Sequence, residues 1–281
     1  MAGEGERSIN MSIKRIITKA CPSFLMKPAL DIVHRFRAVR GRVEMRLFSQ
    51  NMMWFCPCCG MKVKEFIAAD YLDPRDFNPA RYEKTEQKVL CPTCKALPRH
   101  RILASWCENH KELFHNTADI LYFAPEYSMT RWMKRNHVSY TTADLYKDAD
   151  LKLDIQNTNL PDESHDVIIC NHVLEHVDDF RLALREVFRI LRTGGSFICS
   201  FPMDPKIELV DEDPSVKKPE ERFLRFGQAD HKRVFGMKAD QLLSGAGFTV
   251  EVINGIDYPE EILPVVGPAD YDMNILFRCI K

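Results

Sequence analysis

The alternation of apolar and polar positions is sharpest between Leu160 and Pro202. Asp166 to Asn171 is the β-branched apolar run of a strand covered on both faces, and Ser196 to Phe201 repeats it after the turn Thr193-Gly194-Gly195. Between them Phe180, Leu182, Leu184, Val187, Phe188 and Leu191 recur at helical spacing. The unit is β-α-β, with a right-handed crossover expected. Upstream, Ile102–Phe114 predicts a helix leading in. Downstream, a polar, Pro-containing insertion over 203–236 precedes a helix at Met237–Ala246 and strands at Phe248–Asn254 and Asn274–Ile280.

The first fifty residues are different. They hold 10 Lys or Arg against 4 Asp or Glu, and Pro28–Phe48 predicts a basic amphipathic helix with Leu30, Ile32, Val33, Phe36, Val39, Val43 and Leu47 on its apolar side. Such a helix packs on the next domain or joins a homodimer, with a membrane surface or polyanion as the alternative. The pattern divides the chain into a basic helical segment (1–51), a cysteine module (52–100) and an α/β domain (101–281). The 281 residues are enough for one sizeable core and a small companion, and the net charge of -1 gives no global pull toward nucleic acid. No apolar run reaches the roughly 18 residues of a membrane span, and the start lacks a secretory pattern, so the expected location is cytoplasmic.

Four of the ten cysteines form two Cys-Pro-x-Cys knuckles, Cys56/Cys59 and Cys91/Cys94, separated by residues 60–90 with an insertion around Asp73–Pro79. Each knuckle points two thiolates at one centre, so the pair can close a tetrahedral Zn2+ site that holds structure and does no chemistry. Cys58 is spare, and Cys170 and Cys199 sit in apolar strands as small hydrophobes. The basic run Leu97-Pro-Arg-His-Arg101 reads as a polar hinge between modules, or as a phosphate contact.

The segment LPDESHDVIICNHVLEHV, the helix after it and LRTGGSF resemble the bacterial class I S-adenosylmethionine (SAM) dependent methyltransferases, type 11-like, over roughly residues 100 to 281. The resemblance implies an α/β, Rossmann-like seven-stranded sheet with helices on both faces and a reversed closing hairpin, with the zinc ribbon placed before it. It places the first strand at Asp119–Ala124, the second at Val138–Asp144 and a short third just before Asp154, and it implies SAM as cofactor. Where the family has a Gly-rich loop this chain has Phe123-Ala-Pro-Glu-Tyr-Ser128, so Ala124 and Pro125 form the turn and Glu126 is the candidate partner of the cofactor's ammonium group. Asp144 is placed at the ribose, Asp154 and Ile155 at the adenine, and Asn171 beside the sulfonium.

Methyl transfer requires an aligned acceptor and, for a hydroxyl, removal of its proton. The candidates are His172, Glu175 and His176, which share a face if helical, together with the distant His231. Their spacing resembles the metal site of the coenzyme Q O-methyltransferases and of small-RNA 2′-O-methyltransferases, with His172 replacing a Glu, which implies a second divalent ion softer than Mg2+. Without a metal, His172 or His231 is the candidate base. Gln228, Asp230 and Arg233 are candidate substrate or lid residues in the insertion. The acceptor expected is a small molecule or carbohydrate-type compound, by likeness to methyltransferases of bacterial surface-polysaccharide systems. An rRNA base methyltransferase and a non-catalytic zinc-bearing binding module remain as alternatives.

Overall fold

The computed structural model describes residues 54–68, 88–262 and 275–281. The basic helix expected at Pro28–Phe48 and the insertion around Asp73–Pro79 lie outside the described residues. Asn51–Lys281 form one compact unit, so the cysteine module and the α/β sheet are built together.

The cysteine module consists of two small antiparallel pairs: β1 (Trp54–Cys56) with β2 (Met61–Val63), and β3 (Ile67–Ala68) with β4 (Lys88–Leu90). Helix α1 (Pro98–Asn109) follows, starting on Pro98, whose missing N–H costs nothing in a first turn. A separate 3-10 turn, Lys111–Phe114, completes the stretch expected as a single helix. Then come β5 (Ile120–Phe123), α2 (Tyr127–Arg135), β6 (Thr141–Ala143), β7 (His165–Asn171), α3 (Phe180–Ile190) and β8 (Leu191–Ser200). The expected insertion is ordered as a ribbon of β9 (Val210–Glu212) and β10 (Arg233–Phe235) enclosing α4 (Pro219–Phe226). Helix α5 (Ala239–Gly245), β11 (Thr249–Asn254) and β12 (Ile275–Ile280) close the chain.

The main sheet runs β6-β5-β7-β8-β12-β11, parallel from β6 to β8 and antiparallel thereafter. It has six strands among the described residues. The short third strand of the expected seven is reduced to one bridge, Leu151 to Ala143. The turn expected at Thr193-Gly194-Gly195 lies inside β8, where the register shifts against β7 between His165 and Val167. A Cβ on Gly195 would lie 2.8 Å from the Arg192 carbonyl oxygen and 2.9 Å from that of Asp166, so the irregularity needs glycine there.

Two cores flank the sheet. On one face Trp106 of α1 and Met129 and Trp132 of α2 pack with Tyr122, Ile169 and Ile198, and this core continues without a break to Cys56, Phe66 and Cys91. On the other, Phe180, Leu184 and Val187 of α3 and Leu243 of α5 cover Leu121, Ile168 and Phe197. Strand order reverses beside β5, whose neighbours β6 and β7 lead the chain in opposite directions. Ligands of open α/β sheets lie at the carboxyl ends of the strands at such a point.

Candidate cofactor site and metal centres

The loop leaving β5 at the switch point has no glycine, yet Ala124 adopts φ +46°, a left-handed conformation that costs a residue with a Cβ about 1–2 kcal/mol. Its N–H is held by the Ala143 carbonyl at 2.8 Å. The Glu126 N–H donates to the Tyr122 hydroxyl at 3.1 Å, so the loop is fastened to the strand beneath it. Glu126 Oε1 accepts from Arg99 Nη2 at 2.9 Å and meets His100 Nε2 at 2.6 Å, whereas Oε2 is buried and has no hydrogen-bond partner among the described residues. Burial alone would push the Glu126 carboxyl up. His100 and Arg99 outweigh it and hold the group well below the usual carboxylate range.

Asp144, past the end of β6, accepts the N–H groups of Tyr146 and Lys147 on Oδ1, both at 2.7 Å, which shapes the turn and fixes its carboxylate at the crevice. Asn171 ends β7 and accepts from the Ser200 hydroxyl at 2.9 Å. Glu126, Asp144 and Asn171 thus stand at the carboxyl edge of three adjacent strands. The adenine pair is less available. Asp154 meets the Gln156 amide with both oxygens, at 3.1 and 3.2 Å, and Ile155 is buried in the core behind β5 and β6.

His172, Glu175 and His176 lie on an irregular turn, not on the helix their spacing suggested. His172 has φ +53°, and Arg233 donates to the carbonyl oxygens of Leu174 (2.7 Å), Val177 (2.6 Å) and Asp178 (2.9 Å), giving those groups a partner outside any helix. Arg233 is therefore a buried support of this turn and has no free face for a substrate, contrary to its expected role. Gln228 supplies its carbonyl to the His231 N–H at 3.3 Å.

Glu175 is 0% exposed, and neither of its carboxylate oxygens has an aligned hydrogen bond among the described residues. His172 Nδ1 is 3.2 Å away and His176 Nε2 is 3.9 Å away. His231 meets the Phe226 carbonyl through Nδ1 at 3.2 Å, so the proton is on Nδ1 and the Nε2 lone pair is free. His176 meets Asp230 through Nδ1 at 3.3 Å, which holds the Asp230 carboxyl down at about 2 and, once the ring gives up its Nε2 proton, leaves that nitrogen as the acceptor. One carboxylate and two imidazoles therefore bring acceptor atoms within 4.8 Å of one another, a set that fits a divalent cation. The His172 Nε2 is also buried and has no hydrogen-bond partner among the described residues.

The four knuckle thiols also converge. Cys56 and Cys94 Sγ are 3.6 Å apart and Cys59 and Cys91 Sγ 3.9 Å, far beyond a disulfide and close to the roughly 3.8 Å edge of a tetrahedron with Zn–S bonds of about 2.3 Å. Left-handed residues close each knuckle, Gly60 at φ +72° and Lys95 at φ +61°. Hydrogen bonds from Cys58, Cys59, Cys91 and Cys94 hold the Cys56 thiol well below its usual range. The basic run beside the knuckles faces inward. Arg101 is 0% exposed, bonds to the carbonyl oxygens of Val89 (2.7 Å), Ala96 (2.6 Å) and Ile262 (2.5 Å), and stacks 3.9 Å over Phe66. A cleft of about 880 Å3 bounded by Trp54, Phe55, Arg135 and Tyr258 lies against this module and contains none of the residues of either candidate centre.

Sequence reasoning missed the roles of Arg99 and His100, which reach Glu126 from 27 and 26 residues away with no local signature, and of Tyr122, whose hydroxyl holds the Glu126 N–H from the strand just before it.

Residues 108–199 match the family described as a methyltransferase domain. The uncharacterized methyltransferase YcgJ of Bacillus subtilis (strain 168) is 38% identical over 52 residues, 18% of this chain and 21% of that protein, so the match spans about a fifth of that relative's length. Among solved structures, the 4+2 cyclase SpnF is similar with a TM-score of 0.47 at 14% identity, over 65% of this chain and 81% of that one. A SAM-dependent methyltransferase from Archaeoglobus fulgidus gives a TM-score of 0.44 at 13% identity, over 65% and 94%.

Proposed function

We propose that this chain, which carries a class I SAM-dependent methyltransferase domain, transfers the methyl group of SAM to an oxygen or nitrogen atom of a small-molecule or carbohydrate-type acceptor. The observation that carries the reading is the buried, ionised and half-unpartnered carboxylate of Glu126 at the switch point, with Asp144 and Asn171 at the two neighbouring strand ends. Glu126 Oε2 takes the ammonium group of the cofactor, Asp144 the ribose hydroxyls, and Asn171 borders the sulfonium. Asp154 serves the adenine amine once the Gln156 amide turns away from it. When bound, SAM supplies an electrophilic methyl group, and the protein's task is to hold the acceptor in line with it.

Glu175, His176 and His231 would hold a divalent ion beside the cofactor end of β7, of the Zn2+, Mn2+ or Fe2+ type favoured by two imidazoles. Such an ion lowers the pKa of an acceptor hydroxyl. His172, between Glu126 and Glu175, is the base that receives the acceptor's proton. Cys56, Cys59, Cys91 and Cys94 hold a structural Zn2+.

The test is calorimetric titration of S-adenosylhomocysteine, whose binding needs no acceptor, into zinc-loaded protein. The expected isotherm lies in roughly the micromolar range and is lost in Asp144→Asn, which keeps the turn-capping oxygen and removes a ribose acceptor. A flat trace from folded wild-type protein would overturn the reading and leave a zinc-bearing α/β binding module.

A further inference from the structure

The glycine-free loop after β5 needs something other than its own sequence to fix its shape, and the module that precedes the sheet touches it at several points. Arg99 and His100, in the first turn of α1, both load Glu126 Oε1, at 2.9 and 2.6 Å. The direction of the second contact is decided by the rest of the ring. His100 Nδ1 accepts the Leu97 N–H at 2.9 Å, so the ring proton is on Nε2, the imidazole is neutral, and Nε2–H donates to Glu126. Burial acts the same way, pushing the His100 pKa down. Arg99 is then the one cation on this carboxylate from α1. Because an ionised carboxylate can only accept, the group that completes Oε2 must be a donor.

Helix α2, which begins right after Glu126, is tied to the knuckles at both ends. Ser128 Oγ donates to the Cys94 carbonyl at 3.0 Å, and Arg135 Nη2 donates to the Pro57 carbonyl at 2.8 Å. The spare Cys58 Sγ donates to the His100 carbonyl at 3.2 Å, which fastens α1 to the same knuckle. The cofactor loop is thus bracketed by α2, anchored on both knuckles, and by the clamp on α1, itself fastened to the first knuckle through Cys58.

We propose that Arg99 and His100 are positioning residues for the cofactor: by occupying one oxygen of Glu126 they aim the other at the amino-acid end of the nucleoside ligand, which makes α1 and the cysteine knuckles part of the cofactor site. This rests on the reading that the crevice holds SAM. It predicts an effect confined to one end of the ligand. 5′-Methylthioadenosine shares the adenosine and the sulfur with S-adenosylhomocysteine but has no amino-acid end, so its binding does not depend on Glu126.

Both ligands are titrated calorimetrically into the full, zinc-loaded chain and into Arg99→Met, His100→Asn and His100→Gln, with zinc content and melting temperature recorded for each. His100→Asn keeps an acceptor for the Leu97 N–H and loses the reach to Glu126, whereas His100→Gln returns an N–H to the place of Nε2. The expected result is a loss of about tenfold or more in S-adenosylhomocysteine affinity in Arg99→Met and His100→Asn, with recovery in His100→Gln and methylthioadenosine unchanged throughout. An equal fall for both ligands, or no fall for either, overturns the positioning role. Wild-type protein that binds neither ligand overturns the cofactor reading itself, and with it this one, and is told apart by the wild-type trace alone. Should His100→Asn fail to fold, Arg99→Met carries the same comparison.

Discussion

Replacing Glu175 by Gln is expected to make the metal-free protein more stable and, in the same step, to abolish its response to metal. Glu175 is 0% exposed, its oxygens lack aligned donors, and its nearest nitrogens are His172 Nδ1 at 3.2 Å and His176 Nε2 at 3.9 Å. Glutamine has the same shape without the charge, and its amide can donate to the lone pair of a facing imidazole. An unsatisfied buried polar group costs about 1–3 kcal/mol, and a charged one more, so relief of about 2 kcal/mol is a conservative figure. In a domain of roughly 150–250 residues that raises the melting temperature by about 4–8 °C. Protonated imidazoles oppose this: against the upward push of burial, His172, His176 and His231 hold the Glu175 carboxyl below its usual range, and His176 titrates above its own because Asp230 and Glu175 outweigh the effect of burial. The comparison is therefore made at about pH 8.5, roughly two units above an ordinary imidazole. Added Mn2+, which leaves thiolate-bound zinc in place, stabilises the wild type by about 2.7 kcal/mol at a hundred times its Kd and about 4.1 kcal/mol at a thousand times. The order of the two melting curves, followed by circular dichroism, should reverse between zero and high Mn2+. A variant that melts below the wild type without metal and responds equally to Mn2+ would refute the reasoning.

Two further outcomes are expected. Cys94→Ser should reduce bound zinc, measured by elemental mass spectrometry, by up to one ion per chain relative to the wild type and lower the melting temperature; full zinc retention would remove Cys94 from the ligand set. Glu186 is held at about 2 by its hydrogen bond with Arg189 and by the Thr158 hydroxyl and N–H, so its stabilising effect is present above its unfolded value near 4.5 and is lost as pH falls toward 2. The melting-temperature gap between wild type and Glu186→Gln should accordingly be constant at neutral pH and close between about pH 4.5 and 2; a gap that persists unchanged at pH 2 would contradict the assignment.

The strands and helices of the α/β domain were legible because burial on both faces leaves an unbroken apolar run, and Val167–Cys170 and Phe197–Cys199 have no polar residue to mislead the eye. The knuckles were legible for a similar reason, since Cys-Pro-x-Cys is a local device. The turn after β7 was not. His172, Glu175 and His176 have helical spacing, but Arg233, more than fifty residues away, takes three carbonyl oxygens that a helix would have used. Spacing alone cannot reveal a competitor for backbone hydrogen bonds that arrives from another part of the chain. Arg233 itself read as a substrate or lid candidate in a polar insertion, because its burial depends on that same distant turn.

Both loops that border the switch point follow one design. Ala124 and His172 have positive φ without being glycine, at +46° and +53°, so each loop is strained where the chain leaves its strand. Such conformations persist only when the surroundings over-determine them. In each case the surroundings include a cationic side chain from a flanking module: Arg99, with His100, from the helix that follows the knuckles, and Arg233, with the Lys232 N–H on the Glu175 carbonyl at 2.8 Å, from the ribbon after β8. The glycine-free loop is then less an omission than an exchange, in which tertiary clamps replace intrinsic backbone freedom. The consequence is that the cysteine module and the insertion cannot be trimmed without loosening the crevice they flank.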